Sequence, residues 1–351
     1  MNAKLTLFFS FLLSGLFMEG VWGQSAGQQS FTFLELPASA RQQALGGVNV
    51  SSQNGGGEMF WMNPALFSKE SGGQVSLNYY DYYADIGQTT LAYGQSFGKS
   101  GFWSAGFQYW GYGDIMGTSS QGNTTVGYKP SSYAITLSSA HSIRMFALGA
   151  NLTFAQDNFF EYSASALVLD FGGVYYHPEY DWTVGLTVEN AGFILSGYTP
   201  GDGVSLPFDA RLGTTFKPEG FPLRVSLTYQ GLQQFDQVQE IESGQIDALG
   251  NPIQEESSFA DKLSRHLVFG GEFVVGKIFN VWVSYNIQHR REMVLQNFGG
   301  VSGFAFGTKL KVKSFNLAYA RGWNHSVGGT NSFSIIFDTK SLLVKKKRVI
   351  D

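Results

Sequence analysis

Strict alternation of bulky apolar and small polar residues constrains this chain more than any other feature. From Phe146 to Phe154, one set of alternate positions carries Phe, Leu, Ala, Leu and Phe, and the other carries Ala, Gly, Asn and Thr. Successive side chains of a β-strand point to opposite faces, so this segment has one apolar face and one small, polar face. The same pattern recurs in segments 103–109, 281–288 and 315–320. The alternation predicts an all-β protein.

Two all-β architectures compete for such strands. In a soluble, exported β-sandwich the apolar face would pack against a second sheet, and the other face would carry many charges. Here the polar face is small and rich in glycine, and charged residues make up only 14% of the chain, against about 25% in typical soluble domains. Aromatic residues reach 16%. This composition favours a membrane β-barrel whose apolar face meets lipid.

Connection lengths support the barrel independently. About fourteen strands are predicted, with twelve and sixteen as alternatives, and bacterial barrels have even numbers of strands. The predicted strands are 74–82, 88–97, 101–113, 132–141, 144–156, 161–177, 181–193, 206–216, 223–230, 266–275, 279–290, 303–312, 314–321 and 332–338. Connections after even-numbered strands are short, whereas most of those after odd-numbered strands are long, namely 114–131, 194–205, 231–265, 291–302 and 322–331. Short periplasmic turns and long outer loops give this rhythm, with both termini in the periplasm.

The two ends of the chain carry expected targeting and tail segments. Lys4 precedes an apolar run from Leu5 to Phe17, which at roughly 13 residues is too short for a membrane helix and typical of a secretory signal. Export to the outer membrane is therefore expected. The expected divisions are a signal peptide at 1–23, an N-terminal plug at 24–70, the barrel at 71–338 and a basic periplasmic tail at 339–351.

A short helix is predicted between the signal and the first strand. Ser39 can cap its first turn with Gln42 three residues on, as in a capping box, and Gly46 or Gly47 can close its last turn in the left-handed conformation. A fourteen-stranded barrel is too wide for its own side chains to fill, so this helix is expected to plug the lumen. The alternative is a disordered periplasmic leader, against which the apolar residues of segment 31–36 argue.

Polar residues of the plug region indicate how it would sit in the lumen. Arg41 would be costly beside lipid and is expected to meet carboxylates on the inward face, such as Asp170. Asn63 and Pro64 favour a turn that leads from the plug to the first strand.

The loop at 231–264 is the strongest candidate for a partner contact. A loop of this length is usually functional or disordered, and both interpretations remain open. Phe235 and Phe259 are possible apolar anchors. The acidic candidates for partner binding are Asp236, Glu240, Glu255, Glu256 and Asp261.

Several function classes receive no support. The chain has no cysteine, and its five histidines share no ligand spacing, so neither a metal site nor a cofactor is expected. The net charge of −4 argues against nucleic acid as a partner. No arrangement of nucleophile and base stands out among the many serines, so an enzyme is not expected.

Longer motifs resemble a known family. They are FTFLELPASARQQALGG at 31–47, NPAL at 63–66, FADKLSRHLVFG at 259–270 and YNIQHRRE at 285–292. Over nearly the whole mature chain, the sequence resembles the PorQ family of outer-membrane components of the Bacteroidetes type IX secretion system. It departs from a standard barrel end, because a basic run at 345–348 follows the last predicted strand.

The resemblance implies a FadL-like barrel, similar also to PorV, and a non-enzymatic role. It implies membership of a surface attachment complex with PorV and PorU, in which the barrel anchors a PorZ-like surface protein. Such a complex supports the secretion and attachment of substrate proteins to anionic lipopolysaccharide. The alternative function is a FadL-like channel for hydrophobic small molecules. That channel would need apolar residues on the inward face, whereas the inward positions are mostly Gly, Ala, Ser, Asn and Thr.

Overall fold

The computed structural model describes residues 29–53, 55–67, 71–118, 124–235, 242–246, 252–254, 258–276, 278–292, 301–325 and 328–340. The expected signal peptide, the start of the plug region and the basic run at 345–348 lie outside these residues. In chain order the strands are β1 (Gln74–Asp81), β2 (Gly87–Ser96), β3 (Phe102–Gly111), β4 (Ile115–Thr118), β5 (Thr124–Tyr128), β6 (Ser131–Ile143), β7 (Phe146–Phe159), β8 (Tyr162–Tyr176), β9 (Asp181–Ser196), β10 (Asp209–Lys217), β11 (Leu223–Tyr229), β12 (Glu242–Ile246), β13 (Pro252–Gln254), β14 (Leu267–Val275), β15 (Phe279–Asn286), β16 (Phe304–Val312), β17 (Phe315–His325) and β18 (Gly328–Asp338).

Fourteen of these strands form one closed antiparallel barrel, in which each strand pairs with its neighbours along the chain. β1 closes the barrel on β18, with Leu77 opposite Ile335. The predicted strand number, order and antiparallel pairing are confirmed. We call the end that carries the connections β3–β6, β11–β14 and β15–β16 the long-loop end, and the opposite end the short-turn end.

The long connections contain structure that alternation alone did not predict. β4 pairs with β5 and β12 with β13, each as a separate hairpin. A helix (Phe259–Arg265) precedes β14. It begins after Ser258 because the Ser258 side chain caps it by accepting from the Asp261 backbone N–H at 3.2 Å. Another helix (Ile287–Glu292) ends β15 earlier than predicted. The connection predicted at 322–331 is mostly strand, since β17 runs to His325 and β18 starts at Gly328.

The bulky residues at alternate positions of the strands point outward. On β7, Leu152 is 44% exposed, whereas its neighbours Asn151 and Thr153 are 2% and 4% exposed. Leu77, Leu137 and similar residues repeat this pattern around the barrel. The apolar face therefore does not pack against a second sheet, which excludes the soluble sandwich. No helix within the described residues is long and apolar enough to cross a membrane.

Residues 29–53 and 55–67 lie inside the barrel and include the helix α1 (Ala40–Ala44) between two short 3₁₀ segments, Thr32–Glu35 and Gly57–Trp61. The Ser39 hydroxyl accepts from the Gln42 backbone N–H at 3.3 Å, as predicted. The Gln42 side chain reaches back to the N–H of Ala38 rather than to that of Ser39. Gly46 and Gly47 both take positive φ, and Gly47 N–H donates to the Gln42 carbonyl at 2.9 Å, which closes the helix.

Candidate functional site: the plugged lumen

Inward-facing glycines of the barrel wall receive the plug. A Cβ at Gly307 would lie 2.7 Å from the Cβ of Ala44, and a Cβ at Gly149 would lie 2.8 Å from the backbone nitrogen of Ala65. Gly106, Gly172, Gly185 and Gly213 meet other plug residues in the same way. The sequence showed that the residues of the inward face are small, and the structure supplies the reason: the wall leaves room for the plug at these positions.

Arg41 of α1 links the plug to the wall. Its Nη2 lies 3.4 Å from Glu272 Oε2 on β14, and it donates to Ser52 Oγ at 2.8 Å and to the Gln53 carbonyl. Its guanidinium lies 5.7 Å from the ring centroid of Trp282. Both charged side chains are almost fully buried, at 4% and 2% exposure. A buried charge of this kind is stable only when it is paired and hydrogen-bonded.

Glu272 is shared between the plug and the wall. It also accepts from Arg224 Nη1 at 2.8 Å and from Asn280 Nδ2 at 2.6 Å. Arg224 in turn binds Asp181 at 2.9 Å. Two arginines and two carboxylates therefore form a balanced network around the end of α1.

Asp170, the carboxylate that the sequence suggested for Arg41, does not pair with it. Asp170 lies on β8, whereas α1 lies against β15–β18 on another part of the wall. Its oxygens accept from Asn151 Nδ2 at 3.0 Å and from the Asn190 backbone N–H at 2.8 Å. Alternation correctly placed Asp170 on the inward face. Whether a residue faces inward, however, does not tell where around the barrel its strand lies.

Asn63 and Pro64 form the turn that ends the plug. Asn63 is fully buried, its Oδ1 accepts from the Ala65 N–H at 2.9 Å, and its Nδ2 donates to the Val50 carbonyl at 2.9 Å. Pro64 and Ala65 then pass directly over Gly149 of the wall.

Aromatic residues fill the lumen at the long-loop end. Phe31 and Phe33 of the plug are 2% and 1% exposed and belong to one apolar cluster with the inward side chains Tyr80 and Trp110. We call these four residues, with the neighbouring Tyr112 and Tyr198, the aromatic cluster. This cluster was not predicted from the sequence, because the few large residues near the strand ends are outnumbered by small residues at the other inward positions.

A small cavity lies beside this cluster. It encloses about 30 Å³ and is lined by Leu34, Leu36, Phe60 and Trp61 together with polar wall residues such as Gln108. That volume holds about two water molecules. The cavity is therefore too small for an aromatic hydrocarbon, and any such molecule would have to displace part of the plug.

The loop candidates form a separate surface at the long-loop end. The rings of Phe235 and Phe259 lie 5.3 Å apart and are 40% and 70% exposed. Asp261 is engaged within the chain, by Arg265 at 2.6 Å and Arg291 at 2.8 Å. The other acidic candidates, Asp236, Glu240, Glu255 and Glu256, lie outside the described residues.

His266 fastens the base of this loop. It is 1% exposed, and its ring stacks on Tyr229 with centroids 4.8 Å apart. Its Nδ1 lies 2.8 Å from the Gln230 carbonyl and its Nε2 lies 3.0 Å from the Phe235 carbonyl. The histidine therefore holds segment 230–235 against the start of β14.

No protein-family model and no curated protein sequence matches this chain. The fold is similar to the Pseudomonas putida toluene transporter TodX, with a TM-score of 0.53 at 12% identity over 86% of this chain and 96% of that one. It is also similar to the monoaromatic hydrocarbon channel CymD, with a TM-score of 0.50 at 13% identity over 87% and 98% of the two chains. At this identity the likeness concerns the fold alone. The expected fourteen-stranded barrel is confirmed by the strand pairing and by this likeness of fold, whereas these comparisons provide no support for the PorQ family in particular.

Proposed function

We propose that this protein is a non-enzymatic outer-membrane channel for small apolar molecules, held closed by its N-terminal plug. The aromatic cluster is the observation that carries the proposal, because it gathers large aromatic side chains inside a barrel whose inward wall positions are mostly small or polar. In this proposal an apolar ligand takes the place of the Phe31 and Phe33 rings. The fold that this chain shares with TodX and CymD, a toluene transporter and a monoaromatic hydrocarbon channel, supports the same conclusion.

The plug has two differently anchored parts in this proposal. Segment 38–65 is hydrogen-bonded to the wall through side chains, for example from the Ala40 N–H to Ser334 Oγ at 2.9 Å and from Gln43 Nε2 to Thr330 Oγ1 at 2.7 Å. Segment 31–36 packs mainly through the apolar rings of Phe31 and Phe33, beside a backbone hydrogen bond from Phe31 to Asp157 of β7. An apolar molecule competes with such packing but not with the polar anchors. Segment 31–36 is therefore the gate, and segment 38–65 is the fixed part.

Uptake by intact cells tests this function. A host whose lipopolysaccharide outer membrane excludes toluene would be given the wild-type chain, the double variant Phe31→Ser/Phe33→Ser, or the control Phe97→Ser, whose ring is 59% exposed outside the lumen. We expect faster uptake of radiolabelled toluene with the wild type than with an empty vector, and a further increase with the double variant only. Uptake at the empty-vector rate for both the wild type and the double variant would contradict the proposal.

A second candidate is the docking role implied by the resemblance to the PorQ family. The exposed pair Phe235 and Phe259 favours it, because two adjacent aromatic rings on an outer loop can anchor a protein partner. In this role the long-loop end faces outward, both termini lie in the periplasm, and the loops retain a PorZ-like protein together with PorU and PorV near lipopolysaccharide.

Retention of the partner separates the two candidates. Replacing 231–264 with a short turn would leave the barrel inserted, and docking predicts loss of a PorZ-like protein from the cell surface. Affinity purification of the tagged chain from detergent-solubilised envelope would identify what it binds. Unchanged retention after loop replacement would remove the docking role, and the toluene measurement is unaffected by that outcome.

A further inference from the structure

A second cavity lies inside the barrel near the short-turn end. Its volume is about 200 Å³, and it lies between the plug residues Gly55, Gly56 and Glu58 and the wall formed by β1 and β15–β18. Lys309 and Lys311 of β16 line it, with Arg41 and Trp282 deeper in the barrel. Lys311 is exposed and Lys309 is partly buried. The cavity is therefore reachable from the short-turn end.

The charges around this cavity do not balance. Arg41 and Arg224 are matched by Glu272 and Asp181, two positive groups against two negative groups. The remaining charged groups that line the cavity are Lys309, Lys311 and Glu58, and their charges sum to one net positive charge. Among the ion pairs within the described part of the chain, neither lysine takes part. A recess lined by unbalanced charge of one sign concentrates counter-ions.

The two ammonium groups are placed to bind one ligand. Lys309 and Lys311 are two positions apart on the same face of a strand, so their Cα atoms lie about 7 Å apart. Their mutual repulsion is relieved when an anion binds between them. Asn316, opposite Lys311 in the strand pairing, adds an amide donor. Lysine donors and a side-chain amide around a compact polar recess suit an oxyanion.

We propose that this cavity is a binding site for a small oxyanion such as phosphate, separate from the aromatic cluster and independent of hydrocarbon passage. Glu58 opposes the bound anion by charge and stays in place because Ser76 Oγ donates to it at 2.8 Å. The site therefore has two attractive lysines and one repulsive carboxylate. Neutralising either lysine should weaken anion binding, and neutralising Glu58 should strengthen it.

Isothermal titration calorimetry with inorganic phosphate tests the site on the full chain in a non-ionic detergent. We expect saturable binding to the wild type and binding at least about tenfold weaker in Lys309→Gln and Lys311→Gln, since a charged hydrogen bond is lost. Glu58→Gln should bind phosphate more tightly. Lys313→Gln, in the β16–β17 turn outside the cavity, should bind like the wild type.

The outcomes decide the proposal in each case. Absence of saturable binding by the wild type would overturn it, and so would equal weakening in Lys313→Gln, which would indicate a general charge effect. Unchanged or weaker binding in Glu58→Gln would also overturn it. Because Lys311 is exposed, Lys311→Gln is expected to fold normally, and circular dichroism checks the barrel in every variant.

Discussion

Arg41 Nη2 lies 3.4 Å from Glu272 Oε2, and this buried ion pair joins the plug to the barrel wall. Replacing Arg41 with Leu removes the contact of the plug with Glu272, whereas the contacts of Glu272 with Arg224 and Asn280 of the wall remain. We expect docking of the plug to lose about 3 kcal/mol, because a buried pair is broken on one side. Single-channel conductance in planar bilayers should rise for Arg41→Leu.

The matched control for Arg41 is Arg265→Leu. Arg265 also pairs with a carboxylate, Asp261, but in the helix Phe259–Arg265 at the long-loop end rather than in the lumen. Its conductance should equal that of the wild type. Wild-type conductance in Arg41→Leu would show that this arginine does not hold the plug.

Neighbouring glycines on opposite faces of β8 test the fit between plug and wall. A Cβ at Gly172 would lie 2.8 Å from Pro64 Cδ and 3.1 Å from the Ala65 nitrogen, whereas a Cβ at Gly173 would meet only Leu148 at an ordinary 3.6 Å. Gly172→Ala should therefore weaken plug docking by about 1–3 kcal/mol. Gly173→Ala should stay within about 0.5 kcal/mol of the wild type.

Limited proteolysis of the plug region measures this difference between the glycine variants. The plug of Gly172→Ala should be cleaved faster than that of Gly173→Ala while both barrels stay intact. Equal cleavage rates would mean that the plug does not rest on the wall at Gly172.

The fold could be predicted from the sequence because the outside and the inside of a barrel are different surroundings for alternate residues of each strand. Leu152 and Thr153 already show this division within one strand. Local capping chemistry likewise predicted α1, since the groups that end a helix are its own neighbours in sequence.

The site was harder to predict because it depends on contacts between distant segments. Glu272 and Asp170 are both inward carboxylates, and only the closed barrel shows that Glu272 is the one beside Arg41. The signal for the aromatic cluster was present, since Tyr80 and Trp110 occupy inward positions of their strands. It was missed because small residues dominate that face. The outer hairpins were missed because alternation in a short segment does not tell a hairpin from an irregular loop.

The base of the longest loop depends on His266. His266→Phe keeps an aromatic ring beside Tyr229 but removes both contacts to the carbonyl groups of Gln230 and Phe235. An unsatisfied buried acceptor costs about 1–3 kcal/mol, so segment 230–235 should detach more often. Protease cleavage in the loop should become at least about fivefold faster.

A histidine at the other end of the barrel provides the control for His266. His177 accepts from the N–H groups of Glu179 and Tyr180 within a short turn. His177→Phe should leave loop cleavage unchanged. Cleavage of His266→Phe at the wild-type rate would show that the ring does not fasten the loop.

Spin labelling of adjacent residues on β7 tests the central claim most directly. The claim is that the bulky alternate residues meet lipid and that the small ones between them enclose the plug. The chain has no cysteine, so Leu152→Cys and Thr153→Cys each carry a single label. In bilayers we expect the label at 152 to collide with oxygen and not with a water-soluble nickel complex, and the label at 153 to collide little with either. A label at 152 that is shielded from oxygen, or reached by nickel from water, would contradict the account.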